Sequence, residues 1–198
     1  MALTPVQPGE LAAVVTYLEM HSRPRPQPLQ PMPFRLQRWD APDRDRYRAL
    51  FRRIGAPWLW FSRLAMPDAA LEAIIANPLV EIYALSDRHG IEIGLVELDF
   101  RTADCCEIAY FGLIPELAGK GLGRWLMQHA LSLAWRKGVT MVHVHSCTLD
   151  HPSALNFYRK AGFVAVRQAV EIFADPRLIG LLPEECAPQI PLLRADSR

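Results

Sequence analysis

The feature that most constrains the fold of this chain is a glycine-rich stretch, Gly119-Lys120-Gly121-Leu122-Gly123, between two strongly patterned segments. The segment before it, Cys105 to Leu113, has the length and composition of a β-strand, and Gly121 to Lys137 places apolar residues at helical spacing. A turn of this kind lets backbone N–H groups converge on an anion at a helix N-terminus. Its spacing matches neither a Walker loop nor a Rossmann fingerprint, so it predicts either a phosphate site or a plain turn.

The remaining segments predict a mixed α/β domain of the α+β type. Strands are expected at Phe34 to Trp39, Val80 to Ser86, Ile91 to Arg101, Cys105 to Leu113, Val139 to Ser146 and Phe163 to Phe173, and helices at Asp43 to Arg53, Pro67 to Ala76, Gly121 to Lys137 and Pro152 to Ala161. The short connections in the first half favour an antiparallel meander, and the helices of the second half supply crossovers. We therefore expect a mixed, mostly antiparallel central sheet flanked by helices.

Both ends of the chain differ from this central part. Glu10 to Met20 is predicted to form a short helix, and Pro24 to Pro33 an extended proline-rich strap, which together make an N-terminal arm over residues 1–33. The domain then covers residues 34–175, and residues 176–198 form an irregular tail. The strap either lies over its own domain or crosses to a second copy in a homodimer, and the sequence leaves both arrangements open.

Composition excludes several classes of partner. Lys and Arg number 22 against 21 Asp and Glu in 198 residues, so no overall field would attract nucleic acid. No apolar run approaches the 18 or so residues that a bilayer span needs, and no basic segment precedes the N-terminal apolar stretch. We expect a cytoplasmic protein with no nucleic-acid or membrane partner, whose four cysteines are reduced thiols.

Two linked motifs resemble the GCN5-related N-acetyltransferase (GNAT) superfamily. The first runs from Glu107 to Gly123 (EIAYFGLIPELAGKGLG) and the second from Asn156 to Phe163 (NFYRKAGF). They follow the family's order of a strand, a [Q/R]xxGx[G/A] loop that opens a helix, and a later xxYxxxGF junction. Over about residues 34–173, the resemblance implies a GNAT-like sheet that splays between its fourth and fifth strands, with acetyl-CoA as co-substrate between them.

The resemblance also implies which residues bind acetyl-CoA. Its pantetheine arm would bond to the backbone of Phe111, Gly112 and Leu113, and Asn156 is a further predicted contact. The pyrophosphate would rest on the backbone amides of Ala118, Gly119, Lys120, Gly121, Leu122, Gly123 and Arg124. Two positions depart from the family: Ala118 replaces the usual Arg or Gln, and His151 stands where many members have Asn. The loss at Ala118 removes a side-chain contact and leaves the amide cradle.

Acetyl transfer to an amine is expected to benefit from a general base. An amine with a pKa near about 10.4 is almost entirely protonated at pH 7, so a general base would assist acetyl transfer. Glu107 is the candidate, because strand alternation would place it on one face with Ala109, Phe111 and Leu113, and it resembles in position the catalytic Glu of histone acetyltransferases. Glu97 and Asp99 on the neighbouring strand are the alternatives, and all three carboxylates could instead be ordinary solvated positions.

Tyr158 is the candidate acid that would protonate the departing CoA thiolate. A phenol of pKa near about 10 is weaker than a thiol near about 8.5, so this donation is uphill by only about 2 kcal/mol. The backbone N–H of Leu113 would hold the oxyanion.

Three histidines lie in or near the fifth predicted strand. His143, His145 and His151 invite a metal site, but no carboxylate or thiol spacing completes one, and no metal is expected. His145 could instead bind the acceptor or relay a proton. Cys147 is interpreted as a packed thiol rather than a nucleophile.

The sequence therefore predicts an N-acetyltransferase that moves an acetyl group from acetyl-CoA to a primary amine by direct attack in a ternary complex. The aromatic cluster Trp58 to Phe61 and the neutral charge favour a small-molecule acceptor with an apolar part. Two alternatives remain: a non-catalytic acyl-CoA-binding sensor module, and a protein acetyltransferase acting on lysine or N-terminal amines.

Overall fold

A computed structural model describes residues 3–25, 28, 31–117 and 119–194 as a seven-stranded mixed sheet flanked by helices. The strands are β1 (Glu10–Met20), β2 (Arg35–Trp39), β3 (Val80–Ser86), β4 (Glu92–Asp99), β5 (Cys105–Leu113), β6 (Met141–Cys147) and β7 (Val164–Ala174). The helices are α1 (Arg44–Gly55), α2 (Ser62–Ala65), α3 (Asp68–Ile75), α4 (Leu122–Ala134) and α5 (Ala154–Ala161), with short 3-10 turns at Ala56–Trp58 and Pro115–Leu117.

The strand order across the sheet is β2-β3-β4-β5-β6-β1-β7, which confirms the predicted mixed and mostly antiparallel class. Only β5 and β6 pair in parallel; every other neighbouring pair is antiparallel. The short turns between β3, β4 and β5 produce the antiparallel meander, whereas a parallel pair requires a crossover, which α4 provides. The glycine-rich stretch therefore lies at the start of the crossover between the two parallel strands.

The prediction of a helix at Glu10 to Met20 is wrong: this segment is β1, and it lies inside the sheet. It pairs antiparallel with β6 on one side and with β7 on the other. Ala, Leu, Glu and Met favour helices locally, but the β-branched run Val14-Val15-Thr16 fits a strand, and partners far along the chain decide the outcome. The predicted domain boundary at residue 34 therefore cuts off a central strand of the sheet.

Hydrophobic cores lie on both faces of the sheet. On one face α4 and α5 pack through Leu126, Ala130 and Tyr158. On the other face α1 and α3 pack through Phe51 and Leu71. Burying both faces explains why β3 and β4 are almost entirely buried rather than alternating between buried and exposed positions.

The described parts of the strap and the tail both pack on this same chain. Met32 and Phe34 lie against the core beneath α4, while residues 26, 27, 29 and 30 of the predicted strap lie outside the described residues. From residue 176 to residue 194 the tail contains no helix or strand. Arg177, 3% exposed, holds it by bonding to Asp175 and to several tail carbonyls. No helix among the described residues is long and apolar enough to cross a membrane.

Candidate active site

The sheet opens between its two parallel strands. β5 and β6 pair only where Cys105–Glu107 lies beside Met141–His143, and beyond this point the strands separate. A cavity of about 450 Å³ occupies the gap. Phe111, Gly112 and Leu113, the predicted backbone contacts, all line it. Because β5 is paired with β4 alone along this stretch, alternate backbone groups on its other edge point into the gap.

One side of the cavity, here called the glycine-loop wall, consists of Leu117, Gly119 and Gly123 together with Ala154, Phe157 and Tyr158 of α5. Gly119 and Gly121 have φ values of +77° and +80°, a left-handed conformation that residues with a Cβ adopt at a cost. Gly121 is also the N-cap of the 13-residue helix α4, whose leading N–H groups lack intrahelical partners. The loop therefore presents amides and a positive helix end to an anion.

The structure separates the other predicted cofactor residues. Leu122 is buried in the core, whereas Lys120 and Arg124 are exposed, so any part they play in the cradle is through their backbone. Asn156 lies on the outer side of α5 beside a separate shallow depression, because only residues about one helical turn apart, such as Ala154 and Tyr158, face the cavity. Asn156 therefore does not line the cavity, and its contact with acetyl-CoA stays a prediction. Ala118 lies outside the described residues.

The predicted face of Glu107 is wrong, because β5 changes register against β4. Glu107 lies opposite Asp99 and Tyr110 opposite Glu97, which leaves Ala109 with no partner in β4. The extra residue reverses the alternation, so Glu107 shares a face with Tyr110 and not with Phe111. Phe111 points to the opposite face and stacks on Phe157.

His145 lies between Glu107 and the cavity. The Nδ1 atom of His145 is 3.3 Å from Oε1 of Glu107, and His145 lines the cavity while Glu107 does not. The hydrogen bond and charge of Glu107 raise the pKa of His145, with smaller contributions from Asp150 and Glu171, and the same bond lowers the pKa of Glu107. The pair is thus a carboxylate that orients an imidazole, and the imidazole is the group that meets the cavity.

Neither alternative carboxylate reaches the cavity. Glu97 is fully buried and bonds to the Tyr47 hydroxyl and the Arg63 guanidinium. Asp99 pairs with Arg101 at 2.5 Å. Both are committed to ion pairs within the protein, which excludes the predicted role for them.

Tyr158 is 7% exposed and lines the glycine-loop wall, as expected for the candidate acid. Its ring packs among Phe111, Phe157 and Phe163. Burial, assisted by the charge of Asp150, raises the pKa of Tyr158 well above its ordinary value. The phenol therefore stays protonated at any ordinary pH and is available as a hydrogen-bond donor.

The opposite side, here called the aromatic wall, is formed by Trp58, Trp60, Phe61, Tyr110 and Phe173. Trp60 fits between α1 and β5 because Gly55 and Gly112 have no side chain: an added Cβ would come within 2.6 Å of its ring at Gly55 and within 3.0 Å at Gly112.

Contacts from distant segments hold the aromatic wall. The Trp60 indole N–H donates to Asp150 at 3.3 Å, Phe61 stacks on Phe173, and the Gln189 amide of the tail donates to the Pro57 carbonyl at 2.9 Å. Sequence analysis identified the aromatic cluster, but it missed Asp150, Glu171, Phe173 and the tail. No motif in the sequence links these residues, because they lie in separate segments that only the fold brings together.

The remaining histidines and the thiol have local partners. His151 lines the cavity, lies edge-on to Trp58, and accepts from the Ser153 backbone N–H at 3.1 Å at the start of α5. Burial raises the pKa of Cys147 to about 11, so its sulfur remains a thiol. In the part of the chain that the structure describes, no three His, Cys, Asp or Glu side chains are grouped to hold a metal ion.

Comparison with known proteins identifies the class. The acetyltransferase (GNAT) family profile matches residues 17–163, which is most of the chain. This chain therefore belongs to the GNAT acetyltransferase family. Comparison with the curated proteins gives no match.

Solved structures support the same fold. A GCN5-related N-acetyltransferase from Sphaerobacter thermophilus aligns with a TM-score of 0.54 at 18% identity, over 85% of this chain and 52% of its own. A conserved protein of unknown function from Staphylococcus epidermidis aligns with a TM-score of 0.53 at 16% identity, over 84% of this chain and 63% of its own. The present chain thus spans between half and two thirds of those two proteins.

A third similar structure is an aminoglycoside acetyltransferase from an uncultured soil metagenomic sample, solved in complex with sisomicin. It aligns with a TM-score of 0.56 at 17% identity, over 71% of this chain and 95% of its own. At these identities the three structures establish the fold.

Proposed function

We propose that this protein transfers the acetyl group of acetyl-CoA to the primary amine of a small molecule by direct attack in a ternary complex. The observation that carries the proposal is the single cavity between β5 and β6, which reaches from the glycine loop to His145. A cavity that joins an anion-binding loop to a basic side chain can hold both substrates at once. Direct transfer requires that arrangement.

Acetyl-CoA fits the glycine-loop wall. The left-handed glycines at 119 and 121 and the start of α4 suit a pyrophosphate, and the unpaired edge of β5 suits an extended pantetheine amide chain. When bound, acetyl-CoA supplies the activated thioester carbonyl. Because the Ile114 N–H bonds to the Ile93 carbonyl, strand alternation leaves the N–H groups of Phe111 and Leu113 as the available donors to its oxygen. The Leu113 N–H is the proposed donor to the oxyanion.

His145 is the proposed base, and Glu107 is the proposed positioning residue behind it. A neutral imidazole accepts the proton that the attacking amine loses, and the bond to Glu107 fixes the ring and raises its pKa toward the operating pH. Glu107 itself acts through His145 because it does not line the cavity. This assignment replaces direct proton removal by Glu107.

Tyr158 is the proposed acid. Its phenol is held protonated on the glycine-loop wall, so it donates a hydrogen bond to the CoA sulfur as the C–S bond breaks. Its raised pKa favours stabilisation of the thiolate by hydrogen bonding over complete proton transfer, because transfer would run uphill from the phenol, the weaker acid, to the conjugate base of the CoA thiol, the stronger acid.

The proposed acceptor is a small primary amine with an aromatic or other apolar part. Trp58, Phe61 and Phe173 offer an apolar surface beside His145, and the nearby Glu171 carboxylate suits an ammonium group before it loses its proton. The similar aminoglycoside enzyme supports amine acetylation on this fold, but the aromatic wall favours a less polar acceptor here.

The test begins with calorimetric titration of the full chain with acetyl-CoA. Thiol release is then measured with arylalkylamines, polyamines, aminoglycosides and lysine peptides. We expect acetyl-CoA binding and release with the arylalkylamines above all others. Absence of acetyl-CoA binding would refute the site, whereas binding without release on any amine would favour a sensor. Release with peptides alone would refute the small-molecule acceptor and favour a protein acetyltransferase.

A further inference from the structure

β7 is an edge strand that exposes apolar side chains. It pairs with β1 on one side, and no described strand pairs with its other side. Its exposed large apolar residues are Val164 at 65%, Val166 at 51%, Val170 at 67% and Ile172 at 44%. Val170 and Ile172 share a face of the sheet with Val14 of β1, which lies opposite Val170, whereas Val164 lies on the other face, opposite Glu19.

Edge strands in monomeric proteins usually carry features that prevent pairing, such as lysine, proline or bulges. β7 contains no proline or lysine over its 11 residues. It does have a bulge at Val166, where the register against β1 shifts, but from Arg167 to Ala174 its pairing with β1 is unbroken. This regular stretch leaves its outer backbone groups able to continue the sheet.

We propose that β7 pairs antiparallel with β7 of a second copy of this chain, around a two-fold axis at Ala169, which joins the two sheets into one. The charges of β7 support this register. Arg167 and Glu171 are its only charged residues, and they lie symmetrically about Ala169. In the proposed pair Arg167 lies directly opposite the partner's Glu171, and symmetry makes the same contact twice.

Other registers lose this match. Moving the axis to Arg167 places the two arginines opposite each other, and moving it to Glu171 does the same for the two glutamates, both of which are unfavourable. An axis at Gln168 or Val170 places Arg167 opposite the partner's Ala169 or the partner's Phe173, so no direct pair of opposite charges forms. The register at Ala169 further places Gln168 opposite the partner's Val170, within the regular stretch.

The proposed dimer would also reach the cavity. Glu171 lines the cavity, and Arg167 of the same subunit lies 3.7 Å from the centre of the Tyr17 ring on that face. The partner's Arg167 would therefore approach the rim of the aromatic wall. The proposed homodimer would thus form through β7, the last strand of the sheet, rather than through exchange of the proline-rich strap.

The experiment measures the mass of the full chain by sedimentation equilibrium over a concentration series, for the wild type, Arg167→Glu, Glu171→Arg and the double exchange. We expect a wild-type dimer whose dissociation constant rises at least about tenfold in each single variant and recovers in the double exchange. Arg88→Glu makes the same charge change in the distant turn after β3 and should leave the dimer intact. Circular dichroism and thermal melting verify that each variant is folded.

Three outcomes would overturn the proposal. The first is a wild-type monomer at all concentrations. The second is a dimer that Arg167→Glu does not weaken, which would indicate a different interface such as exchange of the N-terminal strand. The third is a folded double exchange that stays dissociated, because the charge pairing predicts recovery.

Discussion

The glycine-loop wall is built from short continuous stretches of chain, whereas the aromatic wall draws side chains from distant segments. In the glycine-loop wall, the glycines of residues 119–123 and the apolar spacing of α5 specify the local backbone conformation. In the aromatic wall, Trp58 meets His151, Phe61 meets Phe173, and Gln189 of the tail supports Pro57. A wall made of backbone amides is suited to a constant ligand, and a wall made of side chains can vary with the acceptor.

The largest effect that would separate the two walls is expected at Tyr158. Tyr158→Phe removes the proposed donor to the thiolate and keeps the ring, so kcat should fall about 100-fold while acetyl-CoA affinity is retained. Steady-state kinetics and calorimetry measure the two quantities. Tyr83→Phe, which removes a phenol that bonds to Glu81 and does not line the cavity, should leave turnover intact. Unchanged turnover in Tyr158→Phe would exclude the acid role.

A smaller effect is expected at Glu107, together with a shift in pH dependence. Glu107 raises the pKa of His145, and the base must be neutral, so the rate should rise with pH through the raised His145 pKa. Glu107→Gln removes that effect, so the acidic limb should move to lower pH while the plateau of kcat falls about tenfold because the imidazole loses its orientation. The measurement is kcat against pH.

Glu19→Gln is the matched control, because Glu19 lies opposite His143 and does not line the cavity. It should leave the acidic limb in place. An acidic limb that stays fixed in Glu107→Gln as well would contradict the assignment of His145 as the base.

The smallest effects are expected from one substitution in each wall, and each should change the binding of one substrate and not of the other. Gly121→Ala strains a left-handed residue by about 1–2 kcal/mol and should weaken acetyl-CoA binding about tenfold, with little change in acceptor KM. Trp58→Leu removes an aromatic contact of about 0.5–1.5 kcal/mol and should raise acceptor KM several-fold, with acetyl-CoA affinity unchanged. Each variant serves as the control for the other. Equal changes in both constants would mean that the two walls are not separate binding surfaces.

Much of the fold could be predicted because the central elements are locally consistent. β3 and β5 occupy the predicted ranges, and the bounds of α1, α3, α4 and α5 lie within a few residues of the predicted ones. Apolar spacing and glycine or proline boundaries specify these elements without reference to partners. The same local logic failed at β1, where good helix formers are held in a strand by β6 and β7.

The site residues also divide into those that local motifs predict and those that depend on the fold. The glycine loop, Phe111 to Leu113 and Tyr158 could be predicted from linked motifs. Of these, Phe111 to Leu113, Gly119, Gly123 and Tyr158 line the cavity, whereas the residues at 120–122 do not. The face of Glu107 could not be predicted, because one unpaired residue at Ala109 reverses a strand's alternation and leaves no local trace.

By itself the sequence determined the α/β class, the strand, loop and helix that form the glycine-loop wall, and the residue types available for acid and base chemistry. Only the tertiary structure decided that β1 lies within the sheet, that His145 stands in front of Glu107, and that the tail supports the aromatic wall. The physical reason is the range of the interactions. Backbone conformation and amphipathic spacing act within a few residues, whereas strand pairing, register and cavity lining depend on partners elsewhere in the chain, in some contacts more than a hundred residues away.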